Sequence, residues 1–288
     1  MAAAVLACEN LAIDSGGIYG PVSVGALAAM GNLSRFTRVL GVSVGAFVAL
    51  LVVLGYSIHE IGVAGRKLNP RKIISGTIID SLRVLKTGGR SDNSKIYKIV
   101  GKYVAKSFNG NPDATFGDLY KLTGRQLIVV GTNIRTGQPR YFNTWSDTTM
   151  PIRVALKITG AIPIVCQYVT YENEEYYDGA YAEHNLLEYF DARGWANAIG
   201  LSISRPRDKI IAGGITLVIH AILMYAWRKH NDARVIQLYT SGIGNMEAEW
   251  PEAITGTMYN LLFSDGYASV KKYMEDIQTD VCTDSSHI

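Results

Sequence analysis

The chain has 288 residues, a formal net charge of +3, 48% hydrophobic residues and 18% charged residues. This composition predicts a single globular domain with a large buried core, and no linker-like stretch divides it. The net charge is too small to indicate nucleic-acid binding, and we find no basic stripe with interleaved aromatics, although mild attraction to anionic lipid is compatible with it.

The cysteines and the amino end predict an intracellular protein. Cys8, Cys166 and Cys282 are odd in number, scattered and without metal-ligand spacing. We therefore expect reduced, mostly buried thiols and neither a disulfide framework nor a zinc site. No basic segment precedes an apolar core at the amino end, so the sequence predicts no signal peptide and a cytoplasmic location, peripheral at membranes at most.

The first predicted element is a short buried strand, Asn10–Ile13, that leads into a glycine-rich turn, Asp14–Gly20. Adjacent N–H groups in such a turn form an anion-binding nest, which beside a nucleophile acts as an oxyanion hole. A phosphate-binding P-loop would need Lys and Ser or Thr after its last glycine, whereas Pro21 and Val22 stand there. A plain strand-to-helix turn without a ligand stays open as an alternative.

The next motif has the G-x-S-x-G pattern, with Gly41, Ser43 and Gly45 between an apolar run and a second apolar run, Ala46–Leu54. This strand, turn and helix setting is typical of a nucleophilic serine. Ser43 would occupy the apex of a strained turn, and its glycine neighbours would let strand and helix pass closely. The dipole of the following helix favours negative charge near the hydroxyl.

The remaining elements alternate between strands and helices, which predicts an α/β layered sheet. Strands are expected near Leu11, Val39, Ile128, Tyr141, Val169, Ile199 and Ile236. Helices are expected after Gly20, Ser43, Ser57, Asp92, Thr115, Met150 and Ile210. No strong strand is expected between Gly65 and Gly124. The apolar runs Ala46–Leu54 and Ile210–Trp227 are predicted to be packed helices in preference to membrane spans.

A third motif lies late in the chain, at Asp178 and Gly179. In isolation, Asp-Gly is typical of a hairpin turn. In this order, however, the glycine-rich turn, the G-x-S-x-G elbow and the Asp-Gly pair resemble the patatin-like phospholipase family. The resemblance runs over about residues 10–205 and includes the helical stretch Ala155–Pro163, which ends at a proline.

The resemblance implies an α/β fold of three layers, with a mostly parallel central sheet flanked by helices. The patatin-like domain would span residues 1–275, with a helical, cap-like insertion near the cleft at about residues 65–124. The polar residues 276–288 would form a frayed carboxyl-terminal tail.

The resemblance also implies a catalytic dyad of Ser43 and Asp178, with the N–H groups of Gly16, Gly17 and Ile18 as the oxyanion hole. A serine hydroxyl needs a neighbouring base, and an aspartate with a reference pKa near ~3.9 becomes an adequate one only if burial raises its pKa. We expect the cleft wall that buries Asp178 to come from the flanking tyrosines, Tyr176, Tyr177 and Tyr181.

The implied activity is calcium-independent hydrolysis of acyl esters in lipids, of the phospholipase A type, without a metal or cofactor. Its partners would be a phospholipid or another acyl ester and, transiently, a membrane surface, with no nucleic acid. Three positions depart from the family pattern, since Ser15 replaces a glycine, Tyr19 replaces a basic residue and Ala180 replaces a glycine. A non-catalytic lipid-binding or scaffolding protein on the same fold therefore stays open.

A different enzyme class, an α/β-hydrolase with a Ser-Asp-His triad, would need a histidine after Asp178. The candidates are His184, His220, His230 and His287. His184 follows Asp178 too closely for the usual triad, and the other three lie in an apolar run, a basic helix end and the tail. This alternative is therefore less favoured than a dyad.

Overall fold

A sheet of eight strands forms the centre of the structure, a computed structural model that describes residues 7–67, 89–204, 232–240 and 256–284. Two further short strands, β3 and β6, form a separate pair within the described residues. In chain order the strands are β1 (Asn10–Ile13), β2 (Arg38–Gly41), β3 (Gly89–Ser91), β4 (Gln126–Asn133), β5 (Pro139–Asn143), β6 (Ile164–Cys166), β7 (Val169–Tyr171), β8 (Glu174–Asp178), β9 (Ala198–Ser204) and β10 (Val235–Tyr239).

The main sheet is mostly parallel, as predicted. Strands β10, β9, β1, β2 and β4 lie side by side in that order and run parallel, whereas β5 and β8 pair antiparallel to β4, and β7 to β8. Leu11 of β1 is the register partner of Val39 in β2 and of Ile199 in β9. All four residues of β1 are buried, because a central parallel strand is covered on both faces.

Helices lie on both faces of the sheet. They are α1 (Gly20–Met30), α2 (Val44–Val53), α3 (Ile58–Lys67), α4 (Ser94–Ser107), α5 (Phe116–Thr123), α6 (Ile152–Thr159), α7 (Glu188–Asp191) and α8 (Gly256–Asp284). Along β4, Leu127 and Val129 belong to a large core with α1, α2 and α6, whereas Ile128 and Val130 belong to a smaller core with Phe190 of α7. This alternation produces the predicted three layers.

Helix α8 packs closely against α1. A side chain at Gly25 would collide with the carbonyl of Phe263, and one at Gly266 would collide with the carbonyl of Val22. A polar tail was expected to begin at Asp276. Helix α8 instead continues through that position to Asp284, so the expected domain boundary falls inside a helix.

Each strand expected from the sequence is present, and so are the six helices expected before residue 200. No strong strand was expected between Gly65 and Gly124, and the described part of that range contains the short strand β3, which pairs in parallel with β6 through Ser91 and Cys166. The predicted helix Ile210–Trp227 lies outside the described residues. None of the helices in the described part of the chain has the length and apolar character needed to cross a membrane.

Candidate active site

The G-x-S-x-G stretch forms a strained turn between strand and helix. Strand β2 ends at Gly41 and α2 begins at Val44, with Ser43 immediately before the helix. The φ of Ser43 is 54° and its ψ is −126°, a conformation that residues with a side chain rarely adopt. The Val42 N–H donates a hydrogen bond to the Ile13 carbonyl at 3.0 Å, which fastens the turn to β1.

The two glycines of the motif are required by close backbone approaches. A side chain at Gly41 would collide with the backbone of Ala46, and one at Gly45 would collide with the carbonyls of Ile13 and Asp14. Glycine therefore allows the elbow to lie against both its own helix and the end of β1.

The Ser43 hydroxyl donates a hydrogen bond to Oδ2 of Asp178 at 2.7 Å. The other carboxylate oxygen, Oδ1, accepts the Ala180 N–H at 3.0 Å. The backbone of Asp178 is held on both sides, since its N–H donates to the Ala161 carbonyl at 3.0 Å and its carbonyl accepts the Thr132 hydroxyl at 2.8 Å. The carboxylate is thus fixed in place beneath the half-buried serine.

The sheet register explains how residues so far apart in sequence meet. Gly41 of β2 is the partner of Val129 in β4, and Gly131, two residues further along β4, is the partner of Asp178 in β8. Ser43 lies two residues beyond Gly41. Serine and aspartate therefore emerge at neighbouring points of the same edge of the sheet.

Burial raises the pKa of Asp178 from 3.8 to about 7, since its side chain is almost inaccessible to water. The hydrogen bonds from the Ala180 N–H and from Ser43 act in the opposite direction and favour the charged form. The negative charge of Asp14 raises the pKa further. Asp178 therefore combines fixed geometry with the proton affinity of a base near neutral pH.

The Asp-Gly motif ends a strand and does not form a hairpin turn. Strand β8 ends at Asp178, and a short 3-10 turn follows over Gly179–Tyr181. Gly179 is required there, because a side chain would collide with the Val130 carbonyl. Of the expected cleft-wall tyrosines, Tyr176 points into the large core. Burial and the nearby Asp178 carboxylate raise the pKa of the Tyr181 phenol.

The glycine-rich turn packs directly beside the elbow. A Cβ atom at Gly16 would lie 3.5 Å from the Val44 side chain, and one at Gly20 would lie 3.1 Å from it. Gly17 has a φ of 51° and faces open space. In the described part of the chain, no acceptor pairs with the N–H groups of Gly16, Gly17 or Ile18. Adjacent N–H groups in such a turn can form an anion-binding nest.

Asp14 holds the start of this turn in place. Its Oδ1 accepts the Ser15 N–H at 2.7 Å, and its Oδ2 accepts the Ser202 hydroxyl at 2.7 Å. Ser15 and Tyr19, two of the positions that depart from the family pattern, are both buried. Tyr19 belongs to the large core, whereas the buried Ser15 hydroxyl has no hydrogen-bond partner among the described residues.

Two residues that the sequence analysis did not assign to the site also contribute to it. The Ser43 N–H donates to Oγ1 of Thr159 at 2.8 Å, and Thr159 is buried at the end of α6. This N–H is therefore already engaged and is unavailable to an oxyanion. The other residue is Asp14, described above. The only sequence signal for Thr159 is its place in the helix that precedes Pro163.

A second buried carboxyl group lies nearby, at Glu183. It accepts the Tyr141 hydroxyl at 2.6 Å and the Asn185 N–H at 3.1 Å, and burial raises its pKa to about 7. It is hydrogen-bonded to neither member of the Ser43 and Asp178 pair. It provides a natural comparison for the effect of a buried carboxyl group outside that pair.

The direct hydrogen bond between Ser43 and Asp178 leaves no place for an imidazole between them. His184 is exposed on the chain after Asp178, and His220, His230 and His287 lie outside the described residues. Within the described ranges, no group of three His, Cys, Asp or Glu side chains is arranged to hold a metal ion.

These features define a three-layer α/β protein with a serine elbow, a buried carboxylate and a glycine-rich turn at one edge of its sheet. Residues 11–191 match the patatin-like phospholipase family, and the chain belongs to that family.

Two viral relatives extend the comparison. Uncharacterized protein R571 of Acanthamoeba polyphaga mimivirus is 26% identical over 284 residues, which cover 92% of this chain and 93% of the relative. Probable lipid hydrolase 463L of Invertebrate iridescent virus 6 is 25% identical over 177 residues, or 59% of each chain. Family membership and the second relative together support a lipid hydrolase activity in general terms.

Solved structures share the fold at low sequence identity. VipD from Legionella pneumophila has a TM-score of 0.62 and 14% identity over 94% of this chain and 67% of its own. ExoU, in its complex with SpcU from Pseudomonas aeruginosa, has a TM-score of 0.50 and 18% identity over 93% of this chain and 52% of that one. The present chain thus corresponds to about half of the ExoU chain.

Proposed function

We propose that the protein is a calcium-independent lipid acyl hydrolase of the phospholipase A type, with Ser43 as nucleophile and Asp178 as general base. The observation that carries the proposal is the 2.7 Å hydrogen bond from the Ser43 hydroxyl to the buried Asp178 carboxylate. The strained elbow presents this hydroxyl beside a turn whose N–H groups have no described acceptor.

In the first step, Oγ of Ser43 attacks the carbonyl carbon of the ester, and its proton passes to Oδ2 of Asp178. The electron pair of the carbonyl double bond moves to the carbonyl oxygen, which becomes the oxyanion of a tetrahedral intermediate. The N–H groups of Gly16, Gly17 and Ile18 would stabilise this charge.

The intermediate then collapses and breaks the bond to the leaving alkoxide, which takes the proton from Asp178 and departs as an alcohol. A water molecule attacks the resulting acyl-enzyme and gives a proton to Asp178. The second intermediate releases the fatty acid and Ser43 recovers its proton, so the enzyme returns to its starting state.

The proposed calcium independence is supported by the kind of donor in the glycine-rich turn. Backbone N–H groups supply the positive end of the interaction, so the carbonyl is polarised without a cation. A pKa of about 7 makes Asp178 a better base than an ordinary carboxylate while leaving it largely ionised at slightly alkaline pH.

Partners and location belong to the same proposal. The substrate would be a phospholipid or another acyl ester, reached by transient contact with a membrane, and nucleic acid has no role. The buried thiols of Cys8 and Cys166 suit a reducing compartment, which supports a cytoplasmic location.

The test is release of free fatty acid from mixed phospholipid vesicles with calcium chelated. The native chain is compared with Ser43→Ala and Asp178→Asn, and each of these variants is expected to lose activity by about a thousandfold or more. Glu183→Gln is the matched control, since it removes a buried carboxylate of similar pKa that does not touch Ser43. Thermal unfolding of all four proteins verifies that they are folded.

Other results would select a different function. Robust activity in Asp178→Asn would indicate a histidine base and the α/β-hydrolase class. A native chain that binds vesicles without releasing fatty acid would favour a non-catalytic lipid-binding protein. The departures from the family pattern at Ser15 and Tyr19 are the reason for testing this alternative.

A further inference from the structure

Helix α4 carries a row of four exposed lysines, at positions 95, 98, 102 and 106. At about 100° and 1.5 Å per residue, they fall within an arc of about 80° and along about 17 Å of the helix. Residues 94–107 include no Asp or Glu. No basic stripe was expected from the sequence, because lysines three and four residues apart form a row only when the chain is wound into a helix.

The row differs from the ordinary solvated face of a helix, which mixes both signs of charge. On α8, for comparison, the exposed or half-buried charged residues include Asp265, Lys271, Lys272 and Glu275. Glu60 pairs with the row, at 3.5 Å from Lys106. Both of those side chains are largely exposed, so this pair neutralises the row only weakly.

A groove of about 650 Å³ lies between α3 and α4, alongside the row. Tyr56, Val63 and Tyr103 contribute to its apolar lining. Lys102 and Lys106 also line the groove. The ammonium group of Lys106 lies 4.9 Å from the centre of the Tyr56 ring. Tyrosine and lysine side chains each combine an apolar ring or stem with a polar end, and this combination suits a membrane interface.

The amino end of α4 lies close to the candidate active site. The strand before it, β3, pairs with β6 through Ser91 and Cys166, and the Gln167 N–H donates to the Ser91 carbonyl at 2.7 Å. The Cys166 thiol is near enough to both Asp92 and Asp178 for each carboxylate to raise its pKa. The amino end of α4, where the lysine row begins, is therefore near the candidate active site.

We propose that the lysine row of α4, with the α3–α4 groove, is the docking surface for the anionic face of a phospholipid bilayer. The inference rests on the proposed function, because a hydrolase of bilayer lipids has to hold its active site at the interface. Charge complementarity identifies the occupant, since phosphate and carboxylate headgroups would meet four exposed lysines on one face of α4. Each lysine near such a surface strengthens binding about fivefold, and salt screens the effect.

The test measures binding of the full chain to sedimentable vesicles, in a Ser43→Ala background so that lipid is not consumed. Vesicles of phosphatidylcholine with about 30% phosphatidylserine are compared with pure phosphatidylcholine. Lys98→Gln with Lys102→Gln is expected to weaken binding to the anionic vesicles about 25-fold. The matched control, Lys271→Gln with Lys272→Gln on α8, removes the same charge and is expected to change binding less than threefold.

The proposal is overturned if both double variants weaken binding equally, which would reflect net charge alone. It is also overturned if the Ser43→Ala protein with all its lysines binds both kinds of vesicle equally, or if it binds an RNA oligonucleotide in preference to anionic vesicles. Because the readout is binding, it is independent of turnover. If binding depends on the α4 lysines but the native chain, with Ser43 present, releases no fatty acid, the proposed function is refuted and the docking surface is supported.

Discussion

The substitution Asp178→Asn is expected to remove activity and, above neutral pH, to make the protein more stable. The reason is the cost of keeping a charged carboxylate buried. The pKa of Asp178 is 3.8 in its ordinary state and about 7 in the folded protein. At about 1.4 kcal/mol for each pKa unit, the charged form costs the folded state about 4 kcal/mol.

The direction in which the free energy of unfolding changes with pH depends on how many protons the folded and unfolded states bind. Between pH 3.8 and about 7 the folded chain keeps a proton on Asp178 that the unfolded chain has lost. The free energy of unfolding of the native chain therefore falls by about 1.4 kcal/mol per pH unit through this window, and the loss is complete above it. Asparagine does not titrate, and its carbonyl oxygen still accepts the Ala180 N–H.

The assay is urea denaturation of the native chain and Asp178→Asn at about pH 4, 6 and 8. The difference in unfolding free energy is expected to shift toward the variant by about 4 kcal/mol from the lowest to the highest pH. Glu183 titrates in both proteins, so its contribution cancels. A difference that does not change with pH would refute the reasoning, because Asp178 would then have the pKa of an ordinary, weak base.

Three further outcomes are expected. The kcat/KM of the native chain should fall about tenfold for each pH unit below about 7 as Asp178 is protonated, and a flat profile down to about pH 5 would contradict its role as base. Thr159→Val should lower kcat about tenfold with little change in KM, because it leaves the Ser43 N–H without its acceptor. Thr159→Ser keeps the hydroxyl and should restore kcat. An equal loss of kcat in both variants would mean that the packing of Thr159, and not its hydroxyl, matters. Gly45→Ala should destabilise the fold by about 2 kcal/mol in urea denaturation, because its Cβ would collide with the end of β1. Gly65→Ala in α3 is the control, and it should stabilise the fold by about 0.5 kcal/mol because its Cβ has no neighbour within contact distance. Similar effects of the two substitutions would count against the close approach at the elbow.

The local structure around Ser43 can be predicted from the sequence, because the residue types that the turn requires are neighbours in the chain. An apolar strand, two glycines and an apolar helix are consecutive, and the steric need for Gly41 and Gly45 follows from the turn itself. The central strands are equally readable, since parallel strands buried on both faces appear as short apolar runs.

The meeting of Ser43 with Asp178 depends on the register of β2, β4 and β8, which no local pattern encodes. The resemblance to a known family supplied that pair. Thr159 was missed for a related reason, because a single threonine at a buried helix end looks like any other core residue until its partner is seen. Helix α8 was not predicted, although its buried residues Leu262, Gly266 and Val270 recur every four positions, as residues on one face of a helix do.

The hydrogen bond from Ser43 lowers the pKa of Asp178, and acylation would remove it. In the acyl-enzyme Oγ carries the fatty acyl group and has no proton to donate, so the carboxylate keeps only the Ala180 N–H as a described donor. Its proton affinity is then higher than in the resting enzyme. In the acyl-enzyme the carboxylate would thus be a stronger base toward water, and the second half of the cycle would lose its base at a higher pH than the first half does.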